Sequence, residues 1–256
     1  MCGELGIEHI LISADIKKKR ENVRKNIIAW LKKPSLFMIP LFMAGDKQFY
    51  LHAHKLRTQL EIKNFIFCAG NTLEETDFKV GFADIRDNSK GGTLTQLSKR
   101  DKLRLLTKYG LEFVKNRSYI NSSILDTAQA YYSSYMLNDD YIYLYHYIPW
   151  IENEVENILK KDYGWEGSSD TSTSWRVGDG TAAFYNYIYY TVAGFTEHDT
   201  FRSNQIREGM ITRDQALNLV HEENLPRWET LEWYANVIGF SLDDALTRIH
   251  QIPKLY

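Results

Sequence analysis

The chain has 256 residues, 44% apolar and 25% charged, with a formal net charge of −2. That is enough for one large domain, or a domain with an appendage, and enough to bury a core without cross-links. The near-neutral balance excludes the basic field that nucleic acid or an anionic membrane surface requires. The only cysteines, Cys2 and Cys68, exclude a disulfide framework and a four-thiolate zinc site. No run approaches the roughly 20 apolar residues of a membrane span, and the start lacks the pattern of a secretory signal. The cytoplasm is the expected compartment.

In chain order, Ile7 to Ile12 reads as a strand that begins almost at once. A lysine-rich helix follows, roughly Lys17 to Lys33, closed by Pro34. Phe42, Phe49, Ala53, Leu56 and Leu60 recur with gaps of 7, 4, 3 and 4, which predicts a helix between Leu41 and Leu60. Asn64 to Cys68 is a short apolar run, the pattern of a strand covered on both faces, with Cys68 a buried small hydrophobe. Strand, helix, helix, strand with short turns predicts a parallel α/β sheet whose ligands sit at the C-terminal ends of its strands.

Residues 91–138 read as mostly helical, and YIYLYHYIPW as a third strand or a buried aromatic connection. Ile151, Val155, Ile158 and Leu159 mark an amphipathic helix. In the tail, Thr212 and Gln215 form a capping-box signature. Trp228, Leu231, Ala235 and Ile238 line one helix face that Gly239 stops, and Ser241 caps a last helix to about Ile249.

Two stretches carry the candidate chemistry. CAGNTLEETDF, 68–78, follows the apolar strand, where Gly70 allows close backbone approach and Asn71, Glu74 and Glu75 can meet hydroxyls, an amine or a metal-bound water. The competing reading is a turn in which Thr72 caps an acidic first helical turn.

The second stretch, Ser168 to Glu208, is denser. Asp179 and Thr181 sit at a glycine-flanked helix start, a place suited to anions; Asp179 itself fits a metal or a sugar hydroxyl better. Arg176, Arg202 and Arg207 can grip phosphate or carboxylate, or simply pair on the surface with Glu197, Asp199 or Glu208. Asn186 and Asn204 add amide groups for a polar ligand. His198, beside Asp199, is a candidate general base, and Asp179 and His198 are the two candidate catalytic residues. No second histidine stands at i+4 from His198, and His52 and His54 diverge on a helix, so a hydrogen-bonding role competes for all three.

FCAGNTLEETDFKVGF, KDYGW, WRVGDGTAAFYNYIY and FRSNQIREGMITRDQAL, in that order, resemble the N-acetyl sugar amidotransferase-like branch of the PP-loop ATP pyrophosphatases. The likeness runs through nearly the whole chain, most clearly over 38–82 and 160–218. It implies a parallel sheet of adenine nucleotide alpha-hydrolase type with a helical C-terminal part, divided softly into 1–90 and 91–256. It also implies ATP with Mg²⁺, which activates a carbonyl oxygen of a nucleotide-linked sugar as an adenylate. Ammonia from a partner glutaminase then turns an acetamido into an acetamidino group, in bacterial surface-polysaccharide synthesis. Gly70, Asn71 and Glu74 fall where relatives place a nucleotide-site motif, and 176–207 would face the sugar or its diphosphate.

One feature of that family is missing. Its Ser-Gly-Gly-x-Asp-Ser loop does not occur, and the single Gly-Gly, Gly91–Gly92, is followed by Thr-Leu-Thr-Gln. The expectation is that roughly the first third of the family's chain is absent. The sheet is then incomplete at its N-terminus, and adenylation needs a second polypeptide bearing the loop. Three alternatives stand beside the amidotransferase reading: a non-catalytic remnant that binds a nucleotide sugar, one that binds a partner protein, and an enzyme of the same superfamily acting on another substrate. A homo-oligomer is compatible with each.

Overall fold

Helix α7 (Thr181–Ala193) is the hub of the molecule. Its sequence, TAAFYNYIYYTVA, is apolar or aromatic on almost every side, so it can only be stable when enclosed. Phe184, Tyr185, Ile188, Tyr189 and Val192 are all buried. Glycines in the left-handed region bound it, Gly180 at φ 81° and Gly194 at φ 79°. At Gly180 a Cβ would stand 2.8 Å from Cβ of Tyr234, so a side chain is excluded by space as well as by backbone angle.

The computed structural model describes residues 3, 5–43, 45, 48–68, 73, 78–85, 97–137, 141–178 and 180–256. Helix α1 (Ile16–Lys32) starts where the Asp15 carboxylate accepts from the Lys18 N–H at 3.1 Å, within a residue of the predicted helix. It buries Ile27, Ala29 and Trp30, and Trp30 meets Phe42 edge-on at 5.7 Å between ring centroids. Phe42 does not open a helix as expected. Leu36–Met43 is a 3-10 helix containing Pro40, which lacks the N–H and the steric room an α-helix interior needs. Helix α2 (Gln48–Gln59) begins after it and carries Phe49, Ala53 and Leu56.

Strand β1 (Phe65–Phe67) pairs parallel with β2 (Tyr141–Tyr143), with Phe65 opposite Tyr141. The parallel pairing agrees with the sequence pattern; the double cover does not, because Ile66 is 57% exposed. Cys68 is exposed rather than buried, since β1 stops at Phe67. The expected strand at Ile7–Ile12 has no regular structure and leaves Leu11 76% exposed. A strand exists only by its neighbours' hydrogen bonds, and among the described residues β1 and β2 pair with each other alone.

The remaining α-helices of the described chain are α3 (Phe78–Gly81), α4 (Lys99–Lys115), α5 (Ile124–Tyr135), α6 (Glu152–Tyr163), α8 (Glu197–Arg207), α9 (Arg213–Glu223), α10 (Trp228–Ile238) and α11 (Leu242–His250). The described chain is thus mostly helical, with one small two-stranded parallel sheet outside the core. The predicted capping box closes both ways, Gln215 N–H to Thr212 Oγ1 at 3.2 Å and Thr212 N–H to Gln215 Oε1 at 2.8 Å. Gly239 stops α10 at φ 86°, and Ser241 Oγ accepts from the Asp244 N–H at 3.2 Å. One core joins Trp30 and Ile27 of α1 to Phe184 and Ile188 of α7, Leu231 of α10 and Ile249 of α11. No described helix is long and apolar enough to cross a membrane.

Candidate functional site

A cleft of about 1350 Å³ opens beside the N-terminal end of α7, with walls from α1, α2, β1, α6 and residues 174–178. Three of the six tryptophans, Trp150, Trp165 and Trp175, line it. Each is set by a local device. Trp175 stacks on Phe201 of α8 at 4.0 Å, and Trp150 meets Tyr145 edge-on at 4.9 Å. Trp165 follows Gly164, whose φ of 62° ends α6, and Lys160 Nζ stands 5.7 Å from its ring. Indole walls of this kind suit a flat or ring-shaped ligand.

One end of the cleft is polar. Asp126 accepts from Lys19 Nζ at 2.8 Å, Asn22 Nδ2 at 2.7 Å and Gln48 Nε2 at 3.0 Å, which joins α1, α2 and α5. Burial raises its pKa, and these donors outweigh burial, so the carboxyl lies below its ordinary range.

At the other end, Arg176 lines the cleft with φ of 58°, in the left-handed region a non-glycine residue seldom enters. Its Nε lies 3.1 Å from Oε2 of Glu197, a carboxylate only 1% exposed. Lys79 Nζ donates to Glu197 Oε1 at 2.5 Å, and the Tyr185 hydroxyl donates to Oε2 at 2.5 Å. Burial by itself would raise the Glu197 pKa. The charges of Lys79 and Arg176, with the Lys79 and Tyr185 hydrogen bonds, overcome it and hold the group at about 2. Burial and the Glu197 charge push the Tyr185 phenol up, so it stays protonated.

Arg202 has a different fate. Its Nε donates to Glu223 Oε2 at 3.0 Å and a terminal nitrogen to Glu223 Oε1, while another donates to Glu152 Oε2 at 2.7 Å. It is 3% exposed and is not part of the cleft lining. Asn204 Nδ2 donates to the Leu73 carbonyl at 3.2 Å and its Oδ1 accepts from Arg207, whose other terminal nitrogen reaches Ser203 Oγ at 3.0 Å. Asn204 therefore ties α8 to the 68–78 stretch, so the two candidate segments touch.

His198 lies near the start of α8. Its main-chain N–H donates to Thr196 Oγ1 at 3.1 Å. Burial lowers its pKa, partly opposed by Glu223 and Glu197, which leaves the imidazole neutral at pH 7. It faces a second cavity of about 30 Å³, which Asn186 and Arg176 also line. His198 Nδ1 and Asn186 Nδ2 are buried without a hydrogen-bond partner, and a volume of about 30 Å³ is enough for one water.

Of the candidate residues, Arg176 and Thr181 face the cleft, whereas His198 and Asn186 face the small cavity behind it. Gly70, Asn71, Glu74, Glu75 and Asp179 lie outside the described residues. Among the described residues no group of three His, Cys, Asp or Glu side chains gathers as a metal site. Lys79, Tyr185, Trp150 and Trp165 were not singled out by sequence. Lys79 and Glu197 stand 118 residues apart, and no local pattern marks such a pair. The concentration of tryptophan between 150 and 175 was a usable signal. Comparison with family models, characterised proteins and solved structures returns no match.

Proposed function

We propose that this chain is the acceptor-binding portion of an ATP-dependent sugar amidotransferase. The full reaction converts an acetamido or carboxyl group of a nucleotide-linked sugar with ammonia, in bacterial surface-polysaccharide biosynthesis. The observation that carries the reading is the cleft: indole faces from Trp150, Trp165 and Trp175 with Arg176 and Thr181 at the mouth of α7. Indole faces pack on sugar rings or a base, and a guanidinium pairs with a diphosphate or carboxylate. Arg176 and Thr181 both come from the WRVGDGT stretch that carries the family resemblance.

On this reading β1 and β2 are two strands of a sheet of adenine nucleotide alpha-hydrolase type. The reading assigns Gly70, Asn71, Glu74 and Glu75, which follow β1 in the sequence, to the nucleotide site, because ligands gather at the C-terminal edge of parallel strands. Among the described residues the sheet has two strands of three residues, weak by themselves, which supports completion by another polypeptide bearing the phosphate-binding loop. ATP and Mg²⁺ would be held there, and a glutaminase would supply the ammonia.

A second reading, sugar binding without catalysis, is favoured by one observation: the candidate base His198 faces the small cavity and not the cleft. Thermal shift with nucleotide sugars and with ATP tests the function. A ligand held at 100 times its Kd stabilises by about 2.7 kcal/mol. A rise in Tm with at least one nucleotide sugar is expected, and a flat response to all of them overturns the reading. Pyrophosphate release with the loop-bearing polypeptide added separates the enzyme from the binding remnant.

A further inference from the structure

We infer that Glu197 is a positioning residue, a buried carboxylate one layer behind the cleft wall that fixes Tyr185 in that wall and holds Arg176 in the orientation from which its terminal nitrogens meet an anionic ligand. Arg176 and Tyr185 both line the cleft and both touch Glu197 Oε2, at 3.1 Å and 2.5 Å. The second oxygen is held by Lys79 Nζ at 2.5 Å, and the Glu197 main-chain N–H donates to Asn186 Oδ1 at 3.1 Å. The residue is therefore held at its second oxygen and at its main chain before it touches the wall. A guanidinium on a left-handed backbone needs such an anchor, because its own main chain does not favour the position. Preorganised donors bind an anion without the cost of ordering them on arrival. The anion is a phosphate or carboxylate group of the cleft's ligand; that part rests on the proposed function, while the positioning rests on the contacts alone.

Nitrogen-15 labelled arginine gives a readout for the positioning without a ligand. The Arg176 Nε is shut off from solvent. Its Nε–H resonance, assigned by Arg176→Lys, should exchange roughly tenfold or more slowly than that of an exposed arginine such as Arg213, and Glu197→Gln should abolish the protection. The affinity of the variant for UDP-N-acetylglucosamine should fall roughly tenfold by calorimetry, the loss of one charge-assisted contact. Fast exchange in the wild-type protein overturns the inference even if Glu197→Gln does not fold. So does a variant with a lower Tm but unchanged affinity, the mark of a merely structural group. If the wild-type protein shows the protection but binds no nucleotide sugar, the functional reading falls and the positioning stands.

Discussion

Arg202 and Glu223, 21 residues apart, meet as a two-point pair inside the protein: Nε donates to Oε2 at 3.0 Å, and a terminal nitrogen donates to Oε1. Glu152 takes a third donor at 2.7 Å, so one guanidinium joins α6, α8 and α9. The sequence offered Arg202 as a ligand contact, and the structure gives it to two carboxylates. Removing one member of a buried ion pair leaves the other charge uncompensated, at a cost of about 3–5 kcal/mol. Arg202→Met should lose stability on that scale in urea unfolding; a loss below about 1 kcal/mol would mean that the pair is not buried in solution.

Gly180 supplies a second prediction. Alanine there must adopt φ near 81° and place its Cβ 2.8 Å from Cβ of Tyr234. Gly180→Ala should cost about 2 kcal/mol, summing strain and crowding. Gly110 has nothing within 4 Å of its would-be Cβ and lies inside α4, so Gly110→Ala should leave stability equal or slightly higher. Equal melting temperatures for the two variants would contradict the packing around α7.

How much of this was legible in the sequence depends on the reach of each interaction. The caps at Thr212 and Ser241 and the stop at Gly239 are set within four residues, and they appear where the pattern put them. The Ile7–Ile12 strand failed because β-structure needs a partner that local pattern does not supply. Cys68 failed for a related reason, since a strand's end is set by its neighbour. In the site, the stretch around Arg176 was visible as polar density, but Lys79 and Tyr185 were not, because each matters only through Glu197.

Acid should weaken the fold in two stages. Burial lowers the His198 pKa below its ordinary 6.5, so the unfolded chain binds that proton more readily. Its contribution is complete above about pH 6.5 and is lost as pH falls below it. Glu197 and Asp170 are both held at about 2, against ordinary values of 4.5 and 3.8. Burial opposes the depression at each; Lys79 and Arg176 overcome it at Glu197, and Thr230, Ser168 and Arg227 at Asp170. Their contribution is present above the unfolded values and is lost as pH falls towards 2. Urea midpoints from pH 8 to pH 3 should show both declines, and His198→Gln should flatten the first. An unchanged first decline in that variant assigns it to another group.

Arg176→Ala should separate binding from folding. Arg176 lines the cleft with about a third of its side chain exposed, against 4% for Arg202, so its loss should cost less stability than Arg202→Met. Affinity for a nucleotide sugar should fall roughly tenfold or more, since charge-assisted contacts contribute about 1.5–3 kcal/mol. Calorimetry and melting on the same sample check both halves. A fall in Tm without a fall in affinity would make Arg176 a structural residue.

The central claim is that the indole-lined cleft receives the ligand, and indole N–H resonances test it directly. The chain has six tryptophans, and Trp150, Trp165 and Trp175 line the cleft while Trp30 is in the core. Trp228 and Trp233 are about half exposed elsewhere, at 47% and 51%. Titration with a nucleotide sugar that raises Tm should move the signals of Trp150, Trp165 and Trp175 and leave those of Trp30, Trp228 and Trp233 in place. Movement confined to Trp228 or Trp233 would put the ligand on another surface and contradict the account.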